Sequence, residues 1–409
     1  MPADGSSAAS SDSDESGKSE RASPPAPRWT RRSARLRRFV LIALALTGVS
    51  HVVPVLGAML FVGPVVALCG GVLVAVVAFA RLRSLMKQRR RPRLMRLFDE
   101  PILAHWCATL LALFAFPCVE IALLVAHSFG AMSHASAFDV TTRAAFGTYA
   151  FSALVSVWGV AVRRRWVRVA NVTIPVVGLP EELRGYRIAQ LSDLHIGNYD
   201  PLRRGLAWAK KTNALGADLI AVTGDLVTTG TEFYEDVAEV LGALSAKDGV
   251  FVSMGNHDQW DPDDLCRKIR AHGTTVLRNA QHVVQRGDAK LVVAGVDDVS
   301  TQQDDLESTL AGRPPGAPVV LLSHYPEFFE AAAERDVDLV LSGHTHGGQV
   351  AMPFAVRYVS LSRIARQRVH GLHRLGRSFL YVHAGLGTTG PPIRLGVAPE
   401  IAVFTLEPA

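Results

Sequence analysis

The chain has 409 residues, 49% of them apolar, with a mean hydropathy of +0.20 and a formal net charge of +6. Length allows two or three domains of roughly 150 residues each. The composition excludes collagen-like, wholly disordered and disulfide-scaffold classes, and the positive hydropathy points to membrane segments beside an ordinary globular part. The four cysteines (Cys69, Cys107, Cys118, Cys266) form no CxxC pair and read as small buried hydrophobes.

Residues 1–27 lack large aliphatic and aromatic side chains and read as a disordered tail. From Phe39 to Ala80 no Asp, Glu, Lys or Arg occurs. One continuous helix of that length would measure about 63 Å, roughly two bilayer cores. Ser50, His51, Pro54 and Gly57 supply a turn, which gives two spans near 39–55 and 59–80. Further apolar runs at 102–126, broken only by Glu120, and at 144–162 bring the expected number of spans to four. Glu120 is a functional candidate because a carboxylate inside a bilayer is costly.

Residues 1–163 hold 18 Lys and Arg against 9 Asp and Glu; residues 164–409 hold 25 against 28. A nucleic-acid binder carries its basic excess on the folded domain, so no nucleic-acid partner is expected. The excess instead flanks the apolar runs, at Arg28–Arg38, Arg81–Arg96 and Arg163–Arg168. The positive-inside rule then puts all three clusters, and everything after residue 163, on the cytoplasmic face of a multi-pass cell-membrane protein. An export signal, twin-arginine in kind, is the competing reading of the Arg-rich start, but it leaves the later spans and the basic loop unexplained.

After Trp166 the pattern changes to short β-rich runs alternating with helical stretches. The runs 187–191, 218–223, 250–254, 290–295, 319–323, 339–342 and 400–406 read as strands, and 202–214, 232–244 and 261–271 as helices. An α/β layered domain over 166–409 is expected, preceded by a transmembrane region over 28–165.

Five polar clusters follow strand ends: Ser192-Asp193-Leu194-His195, Gly224-Asp225, Gly255-Asn256-His257-Asp258, Ser323-His324 and Gly343-His344-Thr345-His346. Loops at the carboxyl ends of strands are where active sites of layered α/β folds gather. Carboxylate, imidazole and amide oxygen without thiolate suit Mn, Fe or Zn. Seven such side chains exceed what one ion needs and suit two ions sharing a carboxylate, the arrangement used for in-line phosphoryl displacement.

These residues resemble the calcineurin-like metallophosphoesterase superfamily, whose pattern is DxH, GDxxD, GNH[DE], a lone His and GHxH. The match is closer to its membrane-anchored bacterial YkuE-like branch, through SDLHIG (192–197), TGDLV (223–227), GNHD (255–258), SHYP (323–326), GHTHGGQ (343–349) and GLGTTGPPIRL (385–395). The resemblance implies a four-layer α/β/β/α sandwich and two divalent metal ions. Asp193, His195 and His346 would hold the first ion, Asn256, His324 and His344 the second, and Asp225 both. His257 would protonate the leaving group, and Asp258 would orient His257. The last Asp of GDxxD is Thr228 here. The implied reaction is attack on phosphorus by a hydroxide held between the metals. The substrate would be a phosphodiester or a pyrophosphate-linked compound, either a phosphorylated small molecule or a lipid headgroup. A catalytically silent scaffold, and a membrane sensor or transporter with a regulatory phosphoesterase domain, are the alternatives. Six arginines between Arg357 and Arg377, with His370 and His373, offer a basic lip for a polyanion or an anionic leaflet.

Overall fold

In a computed structural model of the chain, which describes residues 41–85, 90–129, 137–351 and 368–409, twelve strands form two six-stranded sheets. Before them come a helical stretch at 41–50 and the helices α1 (Val52–Val62), α2 (Pro64–Leu85), α3 (Arg93–Ser128) and α4 (Ala137–Ala161). By length and composition three segments can cross a membrane: Leu41–Ser84, Leu97–Ser128 and Phe138–Arg165. Their outward faces carry exposed Leu, Val and Phe, as a lipid-facing surface requires.

The first segment is interrupted at His51, inside the expected turn, but the chain does not reverse there. Pro54 falls in the first turn of α1, where a missing N–H costs nothing. The reversal is at Gly63, which adopts φ 76, and Pro64 begins the next helix. The side chain of Val55 fills the space a Cβ at Gly71 would need. Those two residues are equidistant from Gly63, so α1 and α2 lie side by side. Cys107 and Cys266 are buried as expected, whereas Cys69 and Cys118 are exposed on their helices.

Glu120 accepts a hydrogen bond from Thr141 on α4 at 3.3 Å. A second polar chain in the helices was not foreseen. His51 Nδ1 lies 2.6 Å from the Thr47 carbonyl, its Nε2 lies 3.1 Å from His105 Nε2, and His105 Nδ1 lies 2.7 Å from the Tyr149 hydroxyl.

In the first sheet the order is β1 (Arg168–Val176), β12 (Glu400–Pro408), β2 (Arg187–Leu191), β3 (Leu219–Thr223), β4 (Val250–Ser253) and β5 (Thr275–Val276). β2 to β5 are parallel, and β12 runs antiparallel to β2. The second sheet runs β10 (Gly371–Leu375), β11 (Ser378–Val382), β9 (Leu339–Ser342), β8 (Val319–Leu322), β7 (Ala289–Gly295) and β6 (Ala280–Arg286), with β11, β9, β8 and β7 parallel.

Strand alternation sorts the core. Leu191, Ile220, Val222 and Val252 pack against α5 (Leu202–Asn213), α6 (Tyr234–Gly242) and α7 (Pro262–Ala271). Their neighbours Ile188, Leu219, Ala221 and Phe251 pack against Leu291, Val293, Val320 and Leu341 of the other sheet. Val292, Leu321 and Val340 turn the opposite way, onto α8 (Leu306–Leu310) and α9 (Phe329–Ala333). The central parallel strands are therefore mostly apolar on both faces, as strands covered on both sides require.

The sheet-bearing half also touches the membrane helices. Ile393 and Leu395 join Ala104, Trp106, Cys107 and Val160 in one apolar cluster, and Arg164 and Arg165 both bond Glu100 at the base of α3.

Candidate metal centre

The loops after β2, β3, β4, β8 and β9 converge. Asp193 N–H donates to the Gly224 carbonyl, His195 N–H to the Asp225 carbonyl and Gly343 N–H to the His324 carbonyl, each at 3.0 Å. His344 N–H donates to the Asp193 carboxylate and His257 N–H to Asp225 Oδ1. The close approach leaves no room for side chains at two glycines. A Cβ at Gly343 would strike Ser192 and Asp193, and one at Gly255 would strike Asp225. Asp193, His195, Asp225, His344 and His346 all have positive φ, between 46° and 69°. Left-handed backbone costs a non-glycine residue about 1–2 kcal/mol, and its clustering here marks a functional site.

Three groups of side chains present ligand atoms within 4.8 Å of one another: Asp193, His195 and His346; His195, Asp225 and His257; Asp225, His324 and His344. Asp225 belongs to two of them, and His195 links the first to the second. The imidazoles face each other through ring nitrogens: His195 Nε2 to His346 Nε2 at 3.0 Å, and His344 Nδ1 to His324 Nε2 at 3.2 Å. Asp225 Oδ2 lies 3.3 Å from His324 Nε2 and 3.6 Å from His195 Nε2. His324 is aimed by its Nδ1–H, which donates to the Thr223 carbonyl at 2.8 Å. Asn256 is half-buried, and its amide oxygen accepts from the Tyr325 hydroxyl at 3.2 Å. The Tyr325 ring lies 4.1 Å from that of His344.

Electrostatics fit divalent ions. Burial and the neighbouring His257 push His195 down to about 3, and burial and His195 hold His346 well below the usual histidine range, so both are neutral, the form in which an imidazole can bind a metal. His324 goes the other way, to about 10: burial opposes its charge, but Asp225 and Asp193 outweigh burial. Asp225 is held well below the carboxylate range. Burial would raise it, and the imidazoles of His324, His257 and His195 prevail. Burial raises Asp193 to about 6, with the Asp225 charge adding to it. The Nδ1 atoms of His195 and His346 are buried with no hydrogen-bond partner among the described residues. A buried set of carboxylate oxygens and lone-pair nitrogens, packed this closely, needs cations for compensation. The residues present suit divalent metal ions.

One expectation changes. No hydrogen bond joins the Asp258 carboxylate to the His257 ring among the described residues. That carboxylate accepts from the backbone N–H groups of Leu226, Val227 and Gly255, and so ties the β3 and β4 loops together. Burial, with Asp225 nearby, raises it to about 7. His257 is instead aimed by Thr228, whose carbonyl meets Nδ1 and whose hydroxyl donates to the His195 carbonyl. Of the basic lip, Arg357, Arg363 and Arg366 lie outside the described residues. Of its described part, Arg368 pairs with Glu330 and Arg377 with Asp338, while His370 lies 3.3 Å from Glu400.

Sequence reasoning did not identify the roles of Thr228, Tyr325, Arg394 or Glu400. Fully buried Arg394 donates to the carbonyls of Ala384, Gly385 and Gly387, while the N–H groups of Leu386 and Gly387 donate to the carbonyls of Ser192 and Asp193. The 385–395 stretch thus braces the Asp193 loop at one end and meets the membrane helices at the other. Buried Glu400 accepts from Arg168, Tyr381 and the Ala384 N–H.

Paired carboxylates and imidazoles at the carboxyl ends of adjacent strands define a metal-dependent phosphoesterase, a hydrolase. The Calcineurin-like phosphoesterase family model matches residues 186–348. The chain is 31% identical over 271 residues to the uncharacterized metallophosphoesterase YkuE of Bacillus subtilis, covering 64% of this chain and 94% of that protein. It is 30% identical over 273 residues to a Danio rerio transmembrane protein with metallophosphoesterase domain, covering 63% of this chain and 61% of that protein. Among solved structures, the Thermus sulfate thiohydrolase SoxB aligns with a TM-score of 0.34 at 15% identity, covering 56% of this chain and 57% of that one. The chain belongs to the calcineurin-like metallophosphoesterases, in their YkuE-like branch.

Proposed function

We propose that this membrane-bound enzyme hydrolyses a phosphodiester or a pyrophosphate-linked substrate with two divalent ions, Mn, Fe or Zn, bridged by Asp225. The observation that carries the reading is the membership of Asp225 in two donor groups, one toward His195 and one toward His324 and His344. Asp193, His195 and His346 would hold one ion, and Asn256, His324 and His344 the other. Bound ions would lower the pKa of a water toward neutrality and offset charge on phosphate oxygens. His257, with Nδ1 occupied by the Thr228 carbonyl, is left with Nε2 to protonate the departing oxygen as imidazolium. Asp258 and Thr228 are positioning residues.

Four passes are supported by the side-by-side packing of α1 and α2. A cytoplasmic catalytic domain is supported by the contact of Arg90 and Arg91, from the basic α2–α3 connection, with Asp236 and Asn198. A four-layer sandwich is supported by the separation of the core into helix–sheet, sheet–sheet and sheet–helix clusters. One observation favours a sensing or transport role beside catalysis, the His51–His105–Tyr149 chain inside the helices.

The test is hydrolysis of a chromogenic phosphodiester by the purified full-length protein. Turnover with Mn that a chelator abolishes and Mn restores is expected. Absence of turnover with Mn, Fe and Zn alike would leave the silent-scaffold reading.

A further inference from the structure

A cavity of about 1320 Å³ lies where the membrane helices meet the catalytic half. Its walls come from the α2–α3 connection, the base of α3, the stretch between α4 and β1, the loop after β2, and α5. Six cations line it: Arg90, Arg91, Arg165, Arg203, Arg204 and Lys211. Only two acids do, Glu100 and Asp236.

Most of those cations are engaged. Arg90 bonds Asp236, Arg91 bonds Asp99, Arg165 bonds Glu100, Arg204 bonds Asp200, and Lys211 donates to the Val167 carbonyl. Arg203 is exposed and has no hydrogen bond or ion pair among the described residues. A second group in the wall, the Tyr199 hydroxyl, is buried with no hydrogen bond among the described residues. Burial, with Asp99 nearby, raises its phenol above the ordinary value, and its O–H can donate to an acceptor. A buried donor and a guanidinium in one wall, neither with a partner among the described residues, and an excess of positive charge around them suit an anionic oxygen ligand.

The position selects the source of that oxygen. Leu97 and Trp166, also in the lining, are 70% and 66% exposed, at the level where α3 and α4 leave the apolar zone. Tryptophan at this level is an interfacial anchor, and basic residues beside it attract an anionic leaflet. We propose that the cavity seats the phosphate headgroup of an anionic membrane phospholipid, with Arg203 and Tyr199 as its direct contacts and the acyl chains passing Leu97 and Trp166. Gly197 and Asn198 in the wall lie two and three residues after His195, so an occupant braces the loop that carries a metal-site residue.

The inference rests on the membrane reading of the helices and is independent of turnover. Full-length protein in a neutral detergent is titrated with short-chain phosphatidylglycerol, short-chain phosphatidylcholine or inorganic phosphate, and the thermal midpoint is followed. Phosphatidylglycerol is expected to raise the midpoint saturably, with the other two ineffective. Arg203→Gln is expected to raise the half-saturating concentration about fivefold, the factor one basic residue contributes at an anionic surface, and Tyr199→Phe to raise it also. Equal shifts with phosphatidylcholine, saturation by inorganic phosphate alone, or wild-type titrations in both variants would overturn the proposal. Chromogenic phosphodiester hydrolysis by the same preparations reports separately on the catalytic reading.

Discussion

The Thr228 carbonyl meets Nδ1 of His257, so a residue standing where the family pattern has an aspartate aims the side chain assigned to proton transfer. His257 also lies within ligand distance of Asp225 and His195, which makes it a rival candidate for a metal ligand. The two roles separate experimentally. His257→Ala is expected to keep its metal content and lose about 10²–10⁴ in kcat, the usual contribution of a general acid. Loss of metal in that variant would make His257 a ligand, and normal turnover would remove it from the mechanism.

Gly343 has no space for a methyl group, because Ser192 and the Asp193 carboxylate occupy it. Gly343→Ala forces Asp193 aside at a strain of about 1–3 kcal/mol. The expected result is a folded protein with weakened metal affinity, read by metal analysis after dialysis beside circular dichroism. Unchanged metal content would show that Asp193 is not held from that side.

Without metal, His324 is pushed up to about 10 by Asp225 and Asp193, so it carries a proton at pH 7. An entering ion must displace that proton. Metal binding is therefore expected to release about one proton at pH 7 and to strengthen as pH rises toward 10. Calorimetric titrations in two buffers of different ionisation enthalpy measure the release. Identical apparent enthalpies in both buffers would contradict it.

Glu400 is buried, and burial opposes its charge. Its hydrogen bond with His370, the nearby His383 and the Arg168 guanidinium outweigh burial and hold its pKa well below the glutamate range. Because the folded value lies below the unfolded value of about 4.3, the stabilisation is complete above that pH and is lost as pH falls through the folded value. Glu400→Gln is expected to cost about 1.5–3 kcal/mol at pH 7. The gap to wild type narrows only below about pH 4.5. A gap that narrows between pH 8 and pH 6 would contradict the assignment.

Much of the catalytic half was legible because parallel strands covered on both faces write uninterrupted apolar runs. β2 and β9 fall at their expected bounds, and β3, β4, β7 and β8 within one residue of theirs. β1, β6 and β10 escaped notice because they are sheet-edge or partly exposed strands with Asn171, Gln281, His282 and Arg374 among their residues. The chain reversal at Gly63 was hidden by Pro54, which reads as a breaker in sequence but is accommodated in a first helical turn. The motifs that bring the candidate ligands together could be read from the sequence. The roles of Asp258 and Thr228 could not, since both act through backbone groups of loops that meet only after folding.

The central claim is that Asp225 serves two ions at once, and metal stoichiometry tests it most directly. Wild-type protein loaded with Mn and desalted should carry two ions per chain, and Asp225→Ala, prepared identically, should retain neither. Two ions retained by Asp225→Ala, or a single ion in the wild type, would contradict the account.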